Sequence, residues 1–114
     1  MIHHMKLHET PFEHIKNGSK TIELRLNDEK RSIIAVGDTI VFTNTVNAYE
    51  TIESKVIGIQ KFSSFAELYD ALPLDKCGYL PHELASASPE DMKVYYSLEQ
   101  QQKYGVVGIE IQVI

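Results

Sequence analysis

The chain has one cysteine in 114 residues, Cys77, which excludes an internal disulfide and a cysteine-rich zinc site. Set in Asp-Lys-Cys77-Gly-Tyr, the lone thiol reads as inert rather than nucleophilic. No apolar run approaches the ~20 residues of a membrane span. The opening Met-Ile-His-His-Met-Lys also lacks the apolar segment of a secretory signal. A cytoplasmic protein with no membrane partner is therefore expected. Cations are scarce as well: 11 Lys and Arg stand against 16 Asp and Glu, for a net charge of −5. Affinity for a long duplex comes from many Lys and Arg neutralising phosphates, so an extensive basic surface is excluded. The sequence contains no glycine-rich phosphate loop and no Gly-x-Ser-x-Gly elbow. Nor does it show an internal repeat, a low-complexity tract or an inter-domain linker. One domain spanning 1–114 remains, with room for a single core. No cofactor is implied, and nothing in the pattern fixes an oligomeric state.

Five histidines raise the question of a metal. His4 and His8 have a four-residue spacing, but at a strand entry that spacing does not converge two ligands as it would on a helix, and no acidic partner stands beside them. His3, His14 and His82 form no motif, so no metal site is expected.

What the chain does have is a local charge focus. Residues 16–31 hold Lys16, Lys20, Arg25, Lys30 and Arg31 against Glu23, Asp28 and Glu29, while the rest carries six cations against thirteen carboxylates. A small basic focus on an acidic body suits a compact anionic ligand or a short single strand better than a duplex.

The periodicity outlines short elements. Met5–His8 is a strand candidate, and Thr10, Pro11 and Glu13 form a capping box opening a brief helix with Phe12 and Ile15 on its apolar side. Gly18 is placed to end it in the left-handed conformation. From Lys20 the period becomes two: Ile22, Leu24 and Leu26 face one way and Thr21, Glu23 and Arg25 the other, which predicts a strand with one dry face. Asn27–Arg31 reads as a turn. Strands follow at Thr39–Thr43 and about Glu50–Lys61, the second with a bulge near Gly58. Ser64 and Glu67 cap a short helix that Pro73 stops, and 73–87 reads as irregular. Ser88-Pro-Glu-Asp91 opens another helix, Ser97–Gln100 restarts it, and Gly105 leads into a last strand with Val107, Ile109, Ile111 and Val113 on one face. These elements give an α+β domain built on a small mixed or antiparallel β-barrel with short flanking helices.

Within this frame Lys20, Glu23 and Arg25 are the residues to explain. Glu23 and Arg25 share strand parity about 7 Å apart, and the Lys20 stem at the strand entrance can reach over the rim. Converging on one cleft, the three would offer donors to a phosphate or carbonyl and a carboxylate to an exocyclic amine. On a solvated face, Glu23 and Arg25 would be an ion pair worth at most about 1 kcal/mol. Tyr95, Tyr96 and Tyr104 flank the last helix, where aromatic faces could stack on bases or simply pack. Ser97 is either a ligand donor or a helix cap.

The ordered set Phe12-x-x-Ile15-x-x-Gly18-x-Lys20-Thr-Ile-Glu23-x-Arg25, then Lys30-Arg31, Gly37-Asp38-x-Ile40-x-Phe42, Tyr96-Ser-x-Glu99 and Lys103-Tyr-Gly-Val-Val-Gly-Ile-Glu110 resembles the ASCH (activating signal cointegrator homology) domain family over nearly the whole chain. The resemblance implies a PUA-like pseudo-barrel with the Gly-x-Lys-x-x-Glu-x-Arg core in the floor of a cleft. It also implies RNA binding or RNA-linked regulation; with the residue chemistry above, the expected partner is RNA or a small nucleotide or nucleoside, and the candidate ligand-binding residues are Lys20, Glu23, Arg25, Tyr96, Ser97 and Tyr104. Some small bacterial members resemble amidohydrolases of acetylated cytidine, with a Lys, a Thr three residues later and a separate carboxylate. Here Lys20 matches the first and Glu23 stands in place of the Thr, while Thr21 has the wrong spacing. Glu67, Asp70 and Asp75 are alternative sources of the carboxylate. The functional expectation is an RNA- or nucleotide-binding module. The alternatives are a small hydrolase using Lys20 and Glu23 and a protein-interaction module without a small ligand.

Overall fold

The computed structural model describes residues 1–114. Strand β1 (Ile2–Leu7) leads into helix α1 (Glu9–Lys16), strand β2 (Ile22–Leu26) and the single-turn helix α2 (Glu29–Ser32). Strands β3 (Thr39–Asn44) and β4 (Thr51–Phe62) precede helix α3 (Phe65–Ala71). Three 3-10 segments, Leu74–Cys77, Pro81–Ser86 and Pro89–Val94, then lead to helix α4 (Leu98–Tyr104) and the final strand β5 (Val106–Val113).

The strands form one mixed sheet in the order β1-β3-β4-β5-β2. Strand β1 runs parallel to β3 and the other pairs are antiparallel. Strands β1 and β2 are the two edges, and the sheet curls until Arg25 on β2 hydrogen-bonds the Lys6 carbonyl on β1 at 3.0 Å. The result is a half-barrel with one side-chain bridge across its seam. The register slip predicted at Gly58 is present between Val56 and Gly58, and it lets the 12-residue β4 bend around the curl.

Two apolar clusters sit on opposite faces of the sheet. The inner one joins Met5, Leu7, Phe12, Ile15, Ile40, Phe42, Val107 and Ile109. The outer one packs Ile22, Leu24, Leu26 and Val106 against Phe65, Leu68, Tyr69 and Leu72 of α3. Gly108 permits the second contact: a Cβ there would fall 2.6 Å from Leu72 Cδ1. No helix is long and apolar enough to cross a membrane.

Several local expectations are corrected. Strand β1 starts at Ile2, three residues early, because its alternation of exposed and buried residues begins there. Helix α1 is capped at His8 without a side-chain bond. Pro11 therefore stands inside the first turn, where amides have no intrahelical partner and a missing N–H is harmless, so it does not mark the start. The turn at 27–31 is tightened into α2 because Asp28 accepts from the Arg31 amide and pairs with its guanidinium, at 3.1 and 2.9 Å. The segment 73–87 holds two 3-10 segments, and Ser88 caps a third rather than an α-helix. Gly18 has the expected positive φ, +87°.

The largest correction concerns β2, which is buried on both faces. Cross-strand partners share a face, and Glu23 and Arg25 oppose Ile109 and Val107 of the inner cluster. Ile22, Leu24 and Leu26 lie on the helix-covered side. The charged face of β2 therefore points to the concave side of the half-barrel.

Candidate functional site

At the seam lies a cleft of about 420 Å³ with Lys20, Glu23 and Arg25 in its lining. That volume is within the range of small-molecule sites. Glu23 is 3% exposed, with Lys20 at 10% and Arg25 at 14%. Lys20 Nζ lies 2.7 Å from Glu23 Oε1, and Arg25 Nε donates to Oε2 at 2.7 Å. Glu23 thus has a cation on each oxygen. This is no solvated pair: a carboxylate withdrawn from water to this degree would be strongly disfavoured without both partners.

Burial by itself would raise the Glu23 pKa. Attraction to Lys20 and then Arg25, with their hydrogen bonds, outweighs it and holds the carboxyl below its ordinary value. For Arg25, burial acts to lower the pKa, and Glu23 together with Tyr96 reverses it to a net increase. Glu23 is consequently a carboxylate at neutral pH, and the triad carries a net positive charge.

The triad keeps hydrogen-bonding capacity in reserve. A carboxylate has about four lone-pair sites, an ammonium three donors and a guanidinium five. The internal contacts use a minority of these, Arg25 spending Nε on Glu23 and Nη2 on the Lys6 carbonyl. The floor can therefore accept from an amine and donate to a carbonyl or anion.

Local backbone chemistry sets the triad's geometry. The Lys20 amide donates to the His14 carbonyl at 3.0 Å and the Thr21 amide to the Lys76 carbonyl at 2.9 Å, fixing the strand entrance between α1 and the 3-10 segment 74–77. Gly78 has φ +113°, and a Cβ there would stand 3.4 Å from Lys20 Cδ. Glycine supplies both the left-handed turn and the space through which the lysine stem passes.

One wall of the cleft is aromatic. Tyr69 and Tyr79 meet edge to face with their hydroxyls 2.7 Å apart, and Tyr79 donates to Asp91 Oδ2 at 2.7 Å. Burial pushes the pKa of both phenols up, so they stay protonated. Tyr96 stacks on Phe65 with centroids 6.0 Å apart. Tyr95 also lines the cleft and is 61% exposed, leaving ring surface free. Thr10, His8 and His14 of the α1 region contribute to the lining as well.

The structure therefore puts Lys20, Glu23, Arg25 and Tyr96 around one cavity. Ser97 and Tyr104 are not in its lining. Ser97 Oγ accepts from the Gln100 amide at 3.1 Å as the cap of α4. Tyr104 packs on the outer cluster, with Lys103 Nζ 5.0 Å from its ring centroid. Glu67, Asp70 and Asp75 also lie outside the lining. The separate carboxylates that do face it are Glu83 and Asp91, both already engaged, Glu83 by the Leu80 amide and Asp91 by Tyr79 and the Ser88 amide. Cys77 lines the cleft, but burial raises its thiol pKa to about 11. No three of the His, Cys, Asp and Glu side chains come together as a metal-binding group would require.

Comparison with known proteins agrees with this architecture. The ASCH domain model matches residues 5–114. The crystal structure of a hypothetical protein, PH0355, superimposes with a TM-score of 0.82 at 37% identity, covering all of both chains. The solution NMR structure of protein PF0455 from Pyrococcus furiosus gives a TM-score of 0.72 at 35% identity, over 100% of this chain and 98% of that one. No curated protein matches. The mixed half-barrel with short helices is the small PUA-like barrel implied by the sequence. Matched along nearly its full length, the chain belongs to the ASCH domain family.

Proposed function

We propose that the cleft binds the nucleoside part of a nucleotide or of a short single-stranded RNA. The triad reads the polar edge of the base, and the tyrosine wall offers it a face. The observation that carries this reading is Glu23: a buried, ionised carboxylate held by two cations, with unused acceptor sites in an open cavity. Such a group suits an exocyclic amine, while Lys20 and Arg25 suit a neighbouring carbonyl. Tyr95, half-free beside it, suits stacking worth about 1–3 kcal/mol per base.

Charge balance supports a base over a polyanion in this cavity. Lys6, Lys20 and Arg25 are matched by Glu23, Glu83 and Asp91, so the lining has no surplus of positive charge. RNA recognition by this family is the expectation the sequence raised, and a splayed-out base entering a protein cleft is how single strands are read. An acid-base hydrolase is less well supported, because a Glu23 carboxyl with lowered pKa is a poor proton donor at neutral pH. A module without a ligand would leave a cavity of this size unexplained.

Calorimetric titration of nucleosides, nucleotides and short RNAs into the wild type and two variants tests the reading. Lys20→Met/Glu23→Leu/Arg25→Met removes the triad without stranding a charge, and Tyr95→Ala removes one exposed ring. Saturable binding by the wild type, abolished in the first variant and weakened about tenfold in the second, is expected. Equal weak binding by all three would overturn it.

A further inference from the structure

A second groove of about 420 Å³ adjoins the cleft and shares Lys6 and Arg25 with it. Its character is different. Lys6, Arg25, Lys30 and Arg31 line it with His4 and Thr43, and no carboxylate does.

The topology explains how these cations meet. His4 and Lys6 are exposed positions of edge strand β1, and Lys6 stands beside Thr43 in the parallel β1–β3 register. Lys30 and Arg31 come from α2, which follows β2 directly. Arg25 reaches across the seam from β2 to the Lys6 carbonyl, so the bridge it forms separates the two cavities and borders both.

Two of these cations are already paired, Arg25 with Glu23 and Arg31 with Asp28 at 2.9 Å. Lys6 and Lys30 form no ion pair, and Arg31 Nε is buried without a hydrogen-bond partner. Two unpaired ammonium groups lining one groove with two guanidinium groups mark a place where an oxyanion would be stabilised. The main cleft is balanced in charge, and its neighbour has four cations and no carboxylate in its lining.

Resting on the reading of the main cleft given above, we propose that this groove holds the phosphate of the nucleotide whose base occupies the cleft. The ligand spans the Arg25–Lys6 bridge, with its neutral part on the tyrosine side and its anionic part against Lys30 and Arg31. The substrate class is thereby narrowed from nucleosides to phosphorylated nucleosides and the phosphodiester links of a single strand.

The test compares the four common ribonucleosides with their 5′- and 3′-monophosphates. It uses the wild type, Lys30→Ala and Lys30→Ala/Arg31→Ala, with amide chemical shifts as the readout of both affinity and place. Lys30 has no side-chain partner, so its single variant keeps the Asp28–Arg31 cap of α2 intact. A monophosphate should bind the wild type at least about tenfold more tightly than its nucleoside. That advantage should shrink in the single variant and vanish in the double one, with nucleoside affinity unchanged. Equal affinity for nucleoside and monophosphate in the wild type, or an advantage that survives both substitutions, would overturn the proposal and leave the cleft reading standing. Inorganic phosphate separates the opposite case. If no nucleoside binds, the cleft reading fails. Phosphate-dependent shifts at Lys6, Lys30, Arg31 and Thr43 that the double variant loses would still support an oxyanion groove, and their absence would overturn that too.

Discussion

The two faces of β2 are withdrawn from water to similar extents by opposite means. Ile22, Leu24 and Leu26 are covered by α3 and the segments after it, and their burial is a favourable transfer of apolar surface. Glu23 and Arg25, one pleat away, are covered by the curl of the sheet, and their burial is tolerated only because each charge is matched at 2.7 Å. The first face contributes stability outright. The second contributes less, since desolvation offsets much of the Coulomb attraction of a buried ion pair. A strand that keeps charges on an interior face for so small a stability gain fits the ligand proposed for them.

Removing one partner from each face breaks the comparison most sharply. Glu23→Ala leaves the largely buried Lys20 and Arg25 without their shared counter-charge, and chemical denaturation should show a loss of about 3–5 kcal/mol. Leu24→Ala should lose about 2–4 kcal/mol from transfer and cavity terms while preserving the triad. A Glu23→Ala variant as stable as the wild type would mean that water reaches the charges freely, and the interior face would not be interior.

Acid sharpens the same contrast by a smaller amount. The Glu23 carboxyl has a lower pKa folded than unfolded, so its contribution to stability is present above the ordinary Glu value of about 4.3 and is lost as pH falls through the lowered value. Denaturation midpoints of the wild type should therefore drop more steeply below about pH 4.3 than those of Glu23→Gln. Leu24→Ala should shift the whole profile downward without changing its slope. Asp38, held down to about 2 mainly by its hydrogen bond from His3, adds an acid-labile component common to all three proteins, which cancels in the comparison. Parallel profiles for the wild type and Glu23→Gln would contradict a lowered Glu23 pKa.

Much of this architecture was legible in the chain because it rests on local rules. The alternation in β2 and β5, the caps at Ser64, Ser88 and Ser97, the bulge at Gly58 and the positive φ at Gly18 each follow from a few neighbouring residues. The order of charges from Lys20 to Arg25 singled out β2, and Glu23 and Arg25 share a face there as their parity implies. What alternation cannot give is which face lies inside. A period of two distinguishes the sides of a strand, but whether Glu23 meets solvent depends on β1 curling round to meet β2, a contact between residues 19 positions apart. The tyrosine wall was hidden for a similar reason. Tyr69, Tyr79 and Asp91 lie in three separate segments, and only the 3-10 path of residues 74–94 brings their side chains into one chain of hydrogen bonds. Ser97 and Tyr104 were drawn toward the site by their place in the motif, whereas their contacts are those of a helix cap and of packing.

The central claim is that β2 keeps a charged interior face for a ligand rather than for stability. It is tested most directly by measuring both quantities on one molecule, Lys20→Met/Glu23→Leu/Arg25→Met. The account predicts stability within about 1–2 kcal/mol of the wild type or greater, together with loss of nucleotide-induced amide shifts at Leu24, Tyr95 and Tyr96. A variant that folds as well and shows the same shifts at the same affinity would contradict it.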